Sequence, residues 1–218
     1  MLRLHDPRTG RLEGLPRAEV LRVHLLDGTD LRALVVADLL RRVAERGRRS
    51  VLLSGAHEDA SDYGVAPLYP ETPAKADLYV SARAHEANEL TLVVPPASGV
   101  SGSSDVDPLA LRLAFLAVPY REPLVLEAET ADAAASRLRA WRADVAHWAN
   151  APGRPLHRPS ITEAETALAD DLNTPAALDV LDRVASNESI APGGKLETFI
   201  NLDLLLGLNV VADIGRTA

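Results

Sequence analysis

The segment from Val20 to Leu53 constrains the fold more than any other part of this chain. Val20 to Leu26 is a β-branched and aliphatic run that reads as a buried strand, and Asp27-Gly28-Thr29 is a turn signal directly after it. From Leu31 the apolar positions Leu34, Val35, Leu39, Leu40 and Val43 recur at helical spacing until Gly47, a helix stop. A second strand, Ser50 to Leu53, follows at once. Strand, helix and strand in this order make the βαβ unit of a parallel sheet, with a right-handed crossover expected.

The rest of the first half extends that sheet. Residues 54–76 mix Gly, Pro and Asp without a period and read as a loop, and Asp77 to Ser81 and Leu90 to Val94 are two further strand candidates. Pro95 to Gly99 and Ser101 to Ser104 then interrupt regular structure. The boundary falls there: 1–106 is expected to be a reduced Rossmann-like α/β domain and 107–218 an all-α helical bundle. Helix 108–118 is apolar almost all round and should be buried. Helix 129–149 sets Ala134, Leu138, Trp141, Val145 and Trp148 at steps of four and three, a bundle seam. Ser160 and Glu163 suggest a capping box for a third helix. Thr174 with Pro175 begins a fourth, proline at the first helical position, and Lys195 to Leu206 makes a fifth that Gly207 ends.

Composition narrows the chemistry. The chain has no cysteine, so disulfides, a thiol nucleophile and thiolate-held zinc or iron–sulfur clusters are excluded. Net charge is −8; residues 107–218 alone hold 10 Lys+Arg against 16 Asp+Glu. Tight nonspecific nucleic-acid binding rests on basic groups, so tRNA binding is expected to be weak or absent. The one basic cluster, Arg41, Arg42, Arg46, Arg48 and Arg49, reads as a solvated helix end and would be the contact face if any nucleic acid bound. The charged opening residues and the lack of a long apolar run point to a cytoplasmic protein without a membrane span.

Nine consecutive residues, Asp170 to Leu178, read DDLNTPAAL, and this segment resembles the signature of cysteinyl-tRNA synthetase helical domains. Asp107 to Leu113 and Tyr120 to Leu124 resemble the family's segment after its catalytic domain. Phe199 to Leu208 is similar to its helix ending in LGL, and Leu4 to Arg11 to its opening LYDTLTGR. The resemblance implies a class I synthetase fold, ATP and zinc as cofactors, and cysteine activation.

The chemistry-bearing middle departs from that pattern. Leu26 stands where the family's zinc cysteine belongs, and the HIGH segment, whose imidazoles steady the phosphates, is missing between Asp27 and Leu31. Ala97 to Val106, where the lysines of KMSKS are expected, holds no Lys or Arg. Lys75 and Lys195, the chain's lysines, lie in no glycine-rich phosphate loop. His85 and Glu89 match the zinc-binding positions of the family's HHENE, at a spacing that would place them on one helical face. Two ligands do not close a tetrahedral site, so neither zinc nor ATP is expected to bind, and no catalytic residue is assigned.

A ligand, if there is one, belongs at the C-terminal ends of the parallel strands, near Asp27, Gly28, Thr29 and the His85–Glu89 segment. His24 reads as a hydrogen-bonded strand residue, His57, Glu58, Asp59 and Asp62 as solvated loop groups, and Trp141 and Trp148 as core. Three readings stand: a non-catalytic binding or partner protein on the synthetase scaffold, an ATP-dependent cysteine ligase related to that of mycothiol biosynthesis, and a structural subunit of a larger enzyme.

Overall fold

A computed structural model describes residues 1–70, 73, 75–85, 88–99 and 106–216. The expected break at Ser101 to Ser104 lies outside them, as do Glu86 and Ala87. The βαβ unit forms where the sequence places it: β3 (Val20–Leu25), α1 (Leu31–Arg46) and β4 (Ser50–Ser54), joined by β5 (Leu78–Ser81) and β6 (Leu90–Val93). All pairs are parallel and the order is β4-β3-β5-β6.

The strand expected to be buried is buried on one side only. Leu21, Val23 and Leu25 are at most 1% exposed, while Val20 and Arg22 between them are exposed and His24 is half-buried. Register carries the difference across the sheet, so that Leu53, Leu78, Val80 and Leu92 share the buried face and Leu52 and Tyr79 the open one. All the covering helix goes to one side. α1 is buried from Arg32 to Leu40 because the sheet packs on one flank and α2 (Pro108–Leu116) and α6 (Pro192–Leu206) on the other.

An antiparallel hairpin not foreseen in the sequence precedes the sheet: β1 (Arg3–Asp6) and β2 (Arg11–Gly14) pair across the turn Pro7 to Gly10. Its signal was the Pro-x-x-Gly turn chemistry, masked by strands of four residues with no clear alternation. After β6, β7 (Ala97–Ser98) pairs in parallel with β8 (Leu124–Val125), which follows α2.

The helices then form a bundle: α3 (Ala128–Trp148), α4 (Arg158–Ala169), α5 (Thr174–Ser186) and α6. The expected seam of α3 is buried throughout, and Phe199 of α6 meets Trp141 and Trp148 edge-on at 6.0 and 5.2 Å. Three helix starts differ from expectation. α4 begins at Arg158, so Ser160 is inside it and bonds His157 Nδ1 at 2.8 Å, while Glu163 pairs with Arg183; proline in the first turn moved the start upstream of the capping box. α5 has Asn173 as its N-cap, its side chain accepting from Ala176 N, which puts Pro175 second rather than first.

α6 begins three residues early, at Pro192, and includes Gly193 and Gly194 despite their poor helix propensity. Contact with the α3–α4 connection explains it: a Cβ on Gly193 would lie 2.3 Å from Pro152 O. Only glycine lets these backbones approach.

The basic cluster is not a solvated helix end. Asp38, fully buried on α1, accepts from Arg41 at 2.6 Å, Arg42 at 2.7 Å and Arg112 of α2 at 2.8 Å. Arg112, also fully buried, donates to Tyr63 O and Leu206 O. Arg46 reaches Glu165 and Asn201, and Arg49 the carbonyls of Pro16 and Ala18. α1 had to bury its polar flank against other elements, so Arg42 and Arg46 became fasteners between layers, while Arg49, just beyond the helix, bonds carbonyls without a carboxylate partner among the described residues.

Candidate functional site

β4 lies on one side of β3 and β5 on the other, so chain order reverses at β3. Open parallel sheets take ligands beside such a reversal, outside the C-terminal ends of the strands. The loop Leu26 to Asp30 forms one wall there. Leu26 N donates to Val80 O, and Thr29 Oγ1 donates to Leu26 O at 2.9 Å. Gly28 turns the chain at φ +81°, leaving Asp27 exposed.

His57, seated three residues past β4, joins this wall. Its Nε2 lies 2.8 Å from Thr29 Oγ1. With the threonine proton on Leu26 O, the Nε2–H tautomer of the imidazole is the one that donates to Oγ1. Burial pushes the His57 pKa below its ordinary value against the opposing pull of Asp30 and Asp27. His57 is therefore not the solvated loop group its sequence context suggests; the packing of the β4 exit against the β3 turn brings it to Thr29.

Asp30 closes the N-terminus of α1. Its Oδ1 accepts from Ala33 N at 3.1 Å and its Oδ2 from Ala97 N at 2.8 Å. The helix end that could otherwise receive an anion is thus capped by the chain's own carboxylate. Arg32, two residues on, is fully buried with its guanidinium on the carbonyls of Pro95, Pro119 and Glu122.

The anticipated site residues do not all meet. Asp27, Gly28 and Thr29 lie together at the end of β3. His85 follows the end of β5, where Tyr79 contacts it at 5.7 Å and His24 of β3 at 6.3 Å. His24 itself bonds Ser54 Oγ at 3.0 Å, a strand residue as expected. Glu89 directly precedes Leu90, which pairs with Leu78 at the start of β5, so it sits about 10 Å of strand away at the opposite edge. There it faces Lys75 at 3.6 Å, near Asn88, whose carbonyl accepts from Arg8. His85 and Glu89 do not share a helical face: neither is in a helix, and the parallel pairing of β5 with β6 sets them at opposite ends of those strands. Among the described residues no three His, Cys, Asp or Glu side chains converge on a point that could hold a metal ion.

The segments that carried the family resemblance meet elsewhere, at Asp171. This residue and Leu172 adopt φ +59° and +51°, unusual for residues with a side chain. Asp171 Oδ1 accepts from His5 N at 2.8 Å and Tyr120 Oη at 2.7 Å, and Oδ2 accepts from Arg121 at 2.8 Å. Its own N–H donates to Arg3 O. The opening, the Tyr120–Leu124 stretch and the α4–α5 turn are therefore one structural joint. Burial and the bond to Asp171 raise the Tyr120 pKa, keeping the phenol protonated.

No family model matches the chain. It is similar to the L-cysteine:1D-myo-inositol 2-amino-2-deoxy-alpha-D-glucopyranoside ligases of Streptomyces griseus, 43% identical over 89 residues, and Gordonia bronchialis, 36% over 107. These matches cover 41% and 47% of this chain but 20% and 25% of the ligases. The cysteine–tRNA ligase of Novosphingobium aromaticivorans is 33% identical over 118 residues, 51% of this chain and 24% of that enzyme. The match thus spans a quarter or less of each relative.

Proposed function

We propose that this chain, homologous over about half its length to cysteine ligases of the class I synthetase type, is a binding or partner protein on that scaffold and does not activate cysteine with ATP. The observation that carries this reading is the state of the α1 N-terminus. A triphosphate there would face the Asp27 and Asp30 carboxylates, and Asp30 already accepts the Ala33 amide at the helix N-terminus. Amino-acid activation needs donors aimed at charge growing around the α-phosphorus; each such donor is worth roughly 10²–10³ in rate. This wall offers carboxylates instead.

A small polar ligand at the strand ends where Asp27, Gly28, Thr29, His57 and His85 lie, or a protein partner, suits these surfaces better than tRNA. Arg41, Arg42, Arg46 and Arg49 are engaged within the chain, which leaves Arg48 as the outlying member of the basic cluster. A cytoplasmic location belongs to the same reading; among the described residues no helix is long and apolar enough to cross a membrane.

The test is cysteine-dependent exchange of pyrophosphate into ATP, run beside a thermal-shift comparison of ATP, cysteine and a non-hydrolysable cysteinyl-adenylate analogue. No exchange above background is expected, and no stabilisation by ATP. Exchange that survives repurification and disappears in Thr29→Val, or in Arg83→Gln just past β5, would instead establish a ligase with a rebuilt phosphate site.

A further inference from the structure

Far from those strand ends, a groove of about 960 Å³ opens where the C-terminal end of α1 meets α4 and the N-terminal hairpin. Its volume is that of a small-molecule pocket. Leu15 and Val43, both half-buried, and the buried Leu168 and Leu205 form an apolar floor. The charge on its rim is unequal. Asp170 is paired with Arg3 at 2.6 Å and Glu165 with Arg46 at 2.8 Å. Arg49 faces no carboxylate; it spends Nη2 on the carbonyls of Pro16 and Ala18, and its Nε and Nη1 bond nothing among the described residues. The α1 carbonyls that would repel an anion here are themselves used: those of Val43, Ala44 and Glu45 accept from Gly47, Arg49 and Arg48. In a chain of net charge −8, one uncompensated cation thus stands over an apolar floor.

We propose that this groove binds an amphiphilic monoanion, with a ring or short chain lying on Leu15, Val43 and Leu168 and a single carboxylate, sulfonate or phosphate-type head on Arg49. Half-buried guanidinium donors suit such a head, and the floor accounts for the apolar body. The site is independent of the strand ends at Asp27 to Thr29.

The probe is 8-anilinonaphthalene-1-sulfonate, titrated by fluorescence into the full folded chain. One saturable site is expected. Val43→Trp, which fills the floor, should abolish it, and Arg49→Gln should weaken it at least tenfold with an unchanged near-UV circular dichroism spectrum; Asp27→Asn should leave it intact. If Val43→Trp lowers the melting temperature, Arg49→Gln decides together with the uncharged analogue N-phenyl-1-naphthylamine, which should bind at least tenfold more weakly than the sulfonate. Absence of a saturable site, affinity unaltered in Arg49→Gln, or equal binding of the neutral analogue would overturn the assignment.

Discussion

Replacing Asp38 by alanine tests the claim that buried charge ties the sheet layer to the bundle. Asp38 and Arg112 are both fully buried, and the carboxylate carries bonds from three guanidinium groups. Removing it leaves Arg112 charged, desolvated and bonded only to carbonyls. Breaking one side of such a pair costs about 3–5 kcal/mol. In a chain of this length each kcal/mol lowers the melting temperature by about 2–4 °C, so a drop near 10 °C is expected. Glu165→Ala, which removes the half-exposed pair with Arg46, should cost under about 1 kcal/mol and serves as the control. Burial pushes the Asp38 carboxyl up, but Arg112 and Arg42 outweigh it and hold the group below its usual range. Its contribution is therefore present above the ordinary carboxylate pKa near 3.9 and is lost as pH falls through the lower folded value. Thermal and urea unfolding of wild type and Asp38→Ala, followed from neutral pH into acid, should show a gap that closes at low pH. A neutral-pH loss under about 1 kcal/mol would refute the reasoning, because it would mean that water already reaches the pair.

Other consequences concern packing and protonation. Trp141→Ala and Leu178→Ala, both in the bundle core, should each destabilise by about 2–5 kcal/mol in urea unfolding; an unchanged midpoint would mean these faces are not core. Gly193→Ala should destabilise the chain although alanine favours helix by about 1 kcal/mol, because its Cβ meets Pro152 O; a gain in stability would show that the connection yields. In an ultraviolet pH titration Tyr120 should ionise only as the chain unfolds, and Tyr120→Phe should remove that step; a Tyr120 signal that titrates in the folded chain would refute its burial against Asp171.

Legibility followed the range of the interactions involved. The strands of the parallel sheet, α1, α2 and the α3 seam could be read because apolar period and turn residues are written within about ten positions of each other, whereas the short β1, β2, β7 and β8 carry no such period. Helix starts at Ser160, Thr174 and Lys195 shifted because local capping competed with proline geometry and with the approach of Gly193 to Pro152. The DDLNTPAAL run carried the resemblance to cysteine ligases but not its own place in the fold. That place, a joint between β1, Tyr120 and Arg121, depends on partners about 50 and 166 positions away.

The candidate site was half legible. Asp27, Gly28 and Thr29 lie at the end of β3 because a strand followed by a turn fixes them there, and that much is local. His57 joins Thr29 only because parallel pairing of β3 with β4 brings two loops to one edge. Glu89 leaves the site for the same reason, since the parallel register of β5 and β6 returns the chain to the far end before β6 begins. The sequence by itself determined the strands of the parallel sheet and the existence of helices α1 to α6, since those depend on the period of apolar residues along the chain. Tertiary structure alone decided which charges are neutralised and which are not: a guanidinium ends on a carboxylate or on carbonyls alone according to what folding sets beside it, as Arg112 and Arg49 show among the described residues.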